Sequence, residues 1–201
     1  MAKRARVWTG TQFVELASAQ TDLTAYSTTA QISSTYSPVS TTGLVLLNTT
    51  DFTAQSTVSI NNCFSSNYTN YRILISATSS IAGGANGNIR LRVGGVDNSA
   101  AIYNRQFLRA IGTTVSASYD TLTETQLVDI NSSYAGVAFA DVFNPALPVK
   151  TRILANFSAS RIDYIALFYT NHNTDTAYDG FSFIPSAGTA TGTIKVYGYK
   201  N

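Results

Sequence analysis

The chain has 201 residues and a mass of 21.5 kDa, room for one domain with an extension or for two very small domains. Hydrophobic residues supply 44% but charged residues only 12%, about half the usual share, while Ser and Thr make up about a quarter. The net charge of +2 is too small for a nucleic-acid footprint, and no run approaches the ~20 apolar residues of a membrane span. Cys63 is the single cysteine, which excludes an intrachain disulfide and a cysteine-built metal site and fits synthesis in a reducing compartment.

Val7 to Leu16 reads as a small hairpin in which Val7-Trp8 and Phe13-Val14 flank a Thr9-Gly10 turn. One hairpin is marginal alone, so Trp8 and Phe13 are expected to bury against a partner surface. Lys3, Arg4 and Arg6 make a basic tip, too short for a nucleic-acid arm. From Ala17 to about Thr42 no period survives, which predicts an extended Ser/Thr-rich arm. Leu44 to Leu47 is a short apolar run expected to clip that arm onto a sheet.

A dense β pattern begins near Ser56. Val58 and Ile60 share one face, then Tyr71, Ile73 and Ile75. A glycine-rich loop, Gly83 to Gly87, leads to Ile89–Val93, where Arg90 and Arg92 alternate outward. Further strands are predicted over 103–111, 122–130, 135–143, 152–157, 162–169 and 178–184. The last runs from about Thr191, with Ile194 and Val196 inward and Thr193, Lys195, Tyr197 and Tyr199 opposite. Eight to ten short strands without a convincing helix predict an all-β fold: an antiparallel, jelly-roll-like β-sandwich over 51–201, with an extended N-terminal arm over 1–50. The segments 135–143 and 162–169 are apolar on both faces, so their outer faces need a cover. Either the arm or a sister subunit supplies it, and a trimer is the expected assembly.

Catalytic signals are weak. His172, with Asp175 and Asp179, reads as a polar loop; no second histidine completes a metal shell, and no G-x-S-x-G elbow presents a serine. Cys63 reads as a buried thiol, and Glu15 and Glu124, the two glutamates, lie far apart in sequence. No catalytic, cofactor or metal residue is assigned. Tyr103, Arg105 and Tyr178 form a candidate surface for a glycan or a protein partner.

Two segments carry a resemblance. Ser56 to Ile75 (STVSINNCFSSNYTNYRILI) and the closing GTATGTIKVYGYKN resemble a pattern in structural proteins of tailed bacteriophages. Ile89–Val93 and Tyr103-Asn104 also fit, and RVWTGTQFVEL is similar to the short W-x-G starts of virion-attached proteins. The resemblance implies a jelly-roll domain on the virion surface, often trimeric, joined to an N-terminal anchor and carrying no catalytic residues. Arg6, Trp8 and Phe13 would then attach the chain to other phage virion proteins, and a host-surface glycan would be a partner of the exposed domain. The protein would be synthesised in the host cytoplasm and reside at the virion surface as a tail-fibre or receptor-binding protein. A capsid decoration protein is the alternative, and a carbohydrate-active enzyme the less favoured one.

Overall fold

The structure, a computed structural model, describes residues 6–15, 43–158 and 164–200. The chain divides into two units, Met1–Thr42 and Gly43–Asn201. In the first, β1 (Arg6–Trp8) pairs antiparallel with β2 (Phe13–Glu15), with Trp8 opposite Phe13. The turn closes through Thr9, whose backbone N–H and hydroxyl both donate to the Gln12 carbonyl at 3.0 Å. Gly10 takes a φ of 94° there, a conformation that glycine adopts without strain. The Ser/Thr-rich arm expected over 17–42 lies outside the described residues.

The second unit is all-β, with strands β3 (Leu44–Gln55), β4 (Val58–Ile60), β5 (Asn70–Ser79), β6 (Ala85–Val93), β7 (Val96–Asp97), β8 (Tyr103–Ile111), β9 (Thr114–Leu122), β10 (Thr125–Ile130), β11 (Gly136–Phe143), β12 (Arg152–Ser158), β13 (Tyr164–His172), β14 (Gly180–Pro185) and β15 (Ala190–Tyr199). They form two antiparallel sheets. The larger runs β3-β15-β5-β11-β12-β13-β8-β9; the smaller runs β10-β6-β14-β4, with β7 paired to β6. Traced through both sheets, the chain follows jelly-roll order. The four strands β4, β14, β6 and β10 make one layer, and β5, β8 and β9 hold three of the four positions of the other. The remaining position is filled by the β11-β12-β13 meander, and β15 and β3 extend that layer past β5.

Alternation decides which face each strand buries. Along β5, Tyr71, Ile73, Ile75 and Ala77 are buried, and along β13 Tyr164, Ala166 and Phe168 face the same interior. The smaller sheet answers with Ile89, Leu91, Phe181 and Phe183, none of them solvent-exposed. Aromatic rings bridge the layers: Phe64 sits 4.7 Å from Tyr71 and 5.8 Å from Phe181, and Phe52 5.8 Å from Phe183. The Tyr71 hydroxyl, buried with its ring, accepts from the Ser65 N–H at 2.7 Å and donates to the Ser65 carbonyl at 2.6 Å. It therefore enters the core without an unmet hydrogen bond.

Several expectations change. Leu44–Leu47 belongs to the twelve-residue β3, so the sandwich starts at Gly43, ahead of the boundary expected at residue 50. β9 has no counterpart among the predicted strands. Asn86 and Gly87 are already in β6, opposite Asp129 and Val128 of β10, and glycine stands at 87 because a side chain there would meet Phe183 and Val128; the preceding loop is correspondingly short. Arg92 lies on the outer face of the smaller sheet, but it is buried there between β7, which pairs beside it, and β14. Its side chain is held by the Ser182 hydroxyl at 2.7 Å, by Asp97 at 3.5 Å and by the Gly95 carbonyl.

Candidate interaction surface

The outer face of the larger sheet is the most unusual feature of the molecule. Strand register places Leu74 of β5 beside Phe139 of β11, Phe139 beside Asn156 of β12, Asn156 beside Leu167 of β13, and Leu167 beside Leu108 of β8. A second row, one repeat along, runs from Val137 across the Ser158 position of β12 to Ile165, Ala110 and Val115. These apolar side chains are exposed, Leu108 at 49%, Ile165 at 64% and Val115 at 67%. Single exposed apolar residues are ordinary, but rows that continue from strand to strand are a contiguous patch. Three shallow hollows mark it, of about 200, 320 and 320 Å³. The first lies between Leu108, Val115, Ile165 and Leu167, the second beside Thr193 and Lys195, the third beneath Val137 and Phe139.

A polar cluster bounds this patch. Arg72 grips Asp141 with two parallel hydrogen bonds of 2.7 Å, and the Tyr199 hydroxyl donates to the same carboxylate at 2.6 Å. The guanidinium also lies 5.0 Å from the centre of the Phe139 ring. Burial alone would raise the Asp141 pKa, but the bonds from Arg72 and Tyr199 outweigh it and hold the carboxyl below its usual range. Burial and the adjacent carboxylate push the Tyr199 phenol up to about 12. Asp141 therefore contributes stability that is present above its unfolded-state pKa and lost as pH falls through the lowered folded value. Replacing Arg72 by Met should move the Asp141 titration to higher pH, read by carbon-detected NMR of its carboxyl. An unmoved titration would assign the shift to something other than Arg72.

The residues expected to bind a ligand lie elsewhere. Tyr103 and Tyr178 are buried, so neither ring is available to a glycan or partner, which corrects that expectation. Each is consumed by the interior: Tyr103 accepts from the Leu91 N–H at 2.9 Å and donates to the Asn98 carbonyl at 3.0 Å. Tyr178 accepts from the Asn98 amide at 2.8 Å and meets His172 Nε2 at 2.6 Å. His172 itself ends β13 at zero exposure, with its ring centre 4.2 Å from that of Tyr103, where a polar loop was expected. The three residues are brought together, as a buried hydrogen-bonded cluster. Arg105 pairs with Asp120 at 2.9 Å and stacks against Phe168 and Phe107, its guanidinium 5.2 and 5.5 Å from their ring centres.

Trp8 is 54% exposed on the hairpin, and the side chains of Arg6 and Phe13 lie outside the described residues. Cys63 is buried, which pushes its thiol up to about 12 and leaves it protonated at neutral pH. Glu124 is held between Arg90 at 3.0 Å and the Asn88 amide at 2.7 Å. No group of three metal-ligating side chains occurs among the described residues. The outer faces of β11 and β13 are legible in the sequence; Leu74, Leu108, Val115 and Asn156, which complete the rows, join them only through strand register. The signal was present in β8, where Leu108 breaks an otherwise polar alternation with Asn104 and Gln106.

The chain matches no protein-family model and no curated protein.

Proposed function

We propose that this chain is a non-enzymatic surface protein of a tailed-bacteriophage virion, of the tail-fibre or receptor-binding type, assembled as a homotrimer. Its N-terminal unit attaches to other virion proteins and its jelly-roll-like sandwich faces outward. The observation that carries this reading is the division of the chain. A compact sandwich begins at Gly43, and a separate N-terminal unit offers a hairpin with an exposed Trp8, a large apolar ring of the kind that anchors protein contacts. The resemblance of Ser56–Ile75 and of the closing VYGY segment to phage structural proteins supports the same class.

Binding of the purified protein tests the reading. A receptor-binding protein adsorbs to host cells or their surface glycans. Binding to empty capsids with a rise in their thermal stability, and no affinity for cells, would instead establish capsid decoration. Deleting residues 1–42 is expected to leave the melting temperature of the sandwich within about 2 °C of the full chain, since no strand of the sheets is lost, while abolishing attachment to the particle. An unfolded product would make the N-terminal unit part of the core.

A further inference from the structure

The outer face of the larger sheet has three properties that narrow its occupant. The first is area. The two rows from β5 to β9 span six strands and two side-chain repeats, about 29 Å by about 14 Å, or roughly 400 Å². That is the size of the largest apolar patch on an ordinary monomer, which is often functional, and supplies about half of the ~800 Å² that each partner buries in a standard interface.

The second is charge. Across the rows the outward-pointing charges are Lys195 at one border and the Arg72–Asp141 pair, which is closed on itself; Arg152 lies beyond the rows at the start of β12. A patch whose unpaired charges lie only at its borders gives a nucleic acid or a strongly charged protein little to read. It also meets a second copy of itself without like-charge repulsion.

The third is the polar residue at the centre. Asn156 is exposed between Phe139 and Leu167, with apolar neighbours on both sides in register. A carboxamide carries both donors and an acceptor, so its own copy is a complete hydrogen-bonding complement.

We infer that this face is the self-association interface of the chain, seated on another copy with Asn156 near the symmetry axis and its amide bonded to the amide of its mate. The inference takes its occupant from the homo-oligomer of the proposed function and adds which surface forms it. Phe139, Leu167 and Leu108 fill the hollows of the facing copy and supply the apolar drive. Asn156 sets the register, because any shifted arrangement buries its amide without a partner.

Sedimentation velocity of the full chain at micromolar concentrations tests this. The wild type is expected to run as a single oligomer, about three times the 21.5 kDa chain mass if trimeric. Leu167→Asp places an unpaired charge in the interface and should weaken association about 100-fold, leaving a monomer with an unchanged circular dichroism spectrum. Val96→Asp, on an exposed β7 position of the other sheet, should leave the mass unchanged. Asn156→Leu should still associate but spread over several masses. A wild-type monomer overturns the inference and the homotrimer together. An oligomer untouched by Leu167→Asp overturns the inference alone, and a dimer that Leu167→Asp dissolves upholds it while removing the trimer. A single unchanged mass for Asn156→Leu overturns the role of the central amide.

Discussion

Gly136→Ala is expected to destabilise the sandwich by about 3 kcal/mol or more, a fall of roughly 6–12 °C in melting temperature for a domain of this size. Gly136 opens β11 where the smaller sheet crosses the larger one. A Cβ built there lands on the carbonyl oxygen of Asp129 in β10 and against the Val128 side chain. The obstacle is backbone, so no rotamer change relieves it. β10 would have to move away, and with it a ladder to β6 that already carries a register shift between Gln126 and Val128. Gly83→Ala is the matched control, with no heavy atom near the added methyl and no positive φ. Its effect should stay within about 0.5 kcal/mol. Thermal or urea unfolding of the two variants side by side decides the matter, and equal midpoints would show that β10 and β11 separate at little cost.

Acidification should cost nearly as much through one side chain. His172 is fully buried, and burial lowers its pKa from 6.5 to about 4. Because the folded value lies below the unfolded one, the unfolded chain binds more protons in that window. The contribution is complete above about pH 6.5 and is lost as pH falls toward 4. The loss amounts to about 3 kcal/mol between pH 7 and pH 4. His172→Gln should be less stable than wild type at pH 7, by about 1–2 kcal/mol, through the lost contact with the Tyr178 hydroxyl. Its stability should also fall less steeply with acid, so that the two curves cross between about pH 5 and 6 and the variant is the more stable protein at pH 4. Parallel curves from urea titrations at a series of pH values would show that His172 is not the titrating group.

The fold was legible wherever one face of a strand is apolar and the other is not. β5 and β15 show it best: Tyr71, Ile73 and Ile75, and Ile194 and Val196, are the inward sets that their alternation predicts. β9 was not legible because it covers little core. Ser116, Ser118 and Asp120 take its inner positions and Val115, Ala117 and Tyr119 its outer ones, so the hydrophobic face points to solvent. His172 was misplaced for the opposite reason. The polar run Thr170-Asn171-His172 looks like a loop, yet its alternate members enter the interior because Thr125, Tyr103 and Tyr178 are there to meet them. Tyr103 and Tyr178 show the same limit. A tyrosine with a hydroxyl partner in the core and one displayed for a ligand read alike in sequence. The apolar outer face was half visible, since β11 and β13 announce it within single strands. The rows that make it continuous depend on pairings between strands far apart in the chain.

One of those pairings bears on how the protein is made. Among the described strands, β15 is the only sheet neighbour of β3, and their pairing runs from Gln55 with Ala190 to Leu44 with Tyr199, residues 155 positions apart. At a synthesis rate of about 5–20 residues per second, β3 waits on the order of ten seconds for its partner. During that wait it is a twelve-residue strand with Asp51 as its single charge, a ready template for pairing with another nascent chain. Premature termination before residue 190 would leave it so permanently, and would also strip β5 of one neighbour. The penalty for losing the last strand is therefore paid at the other end of the domain, as aggregation during biosynthesis.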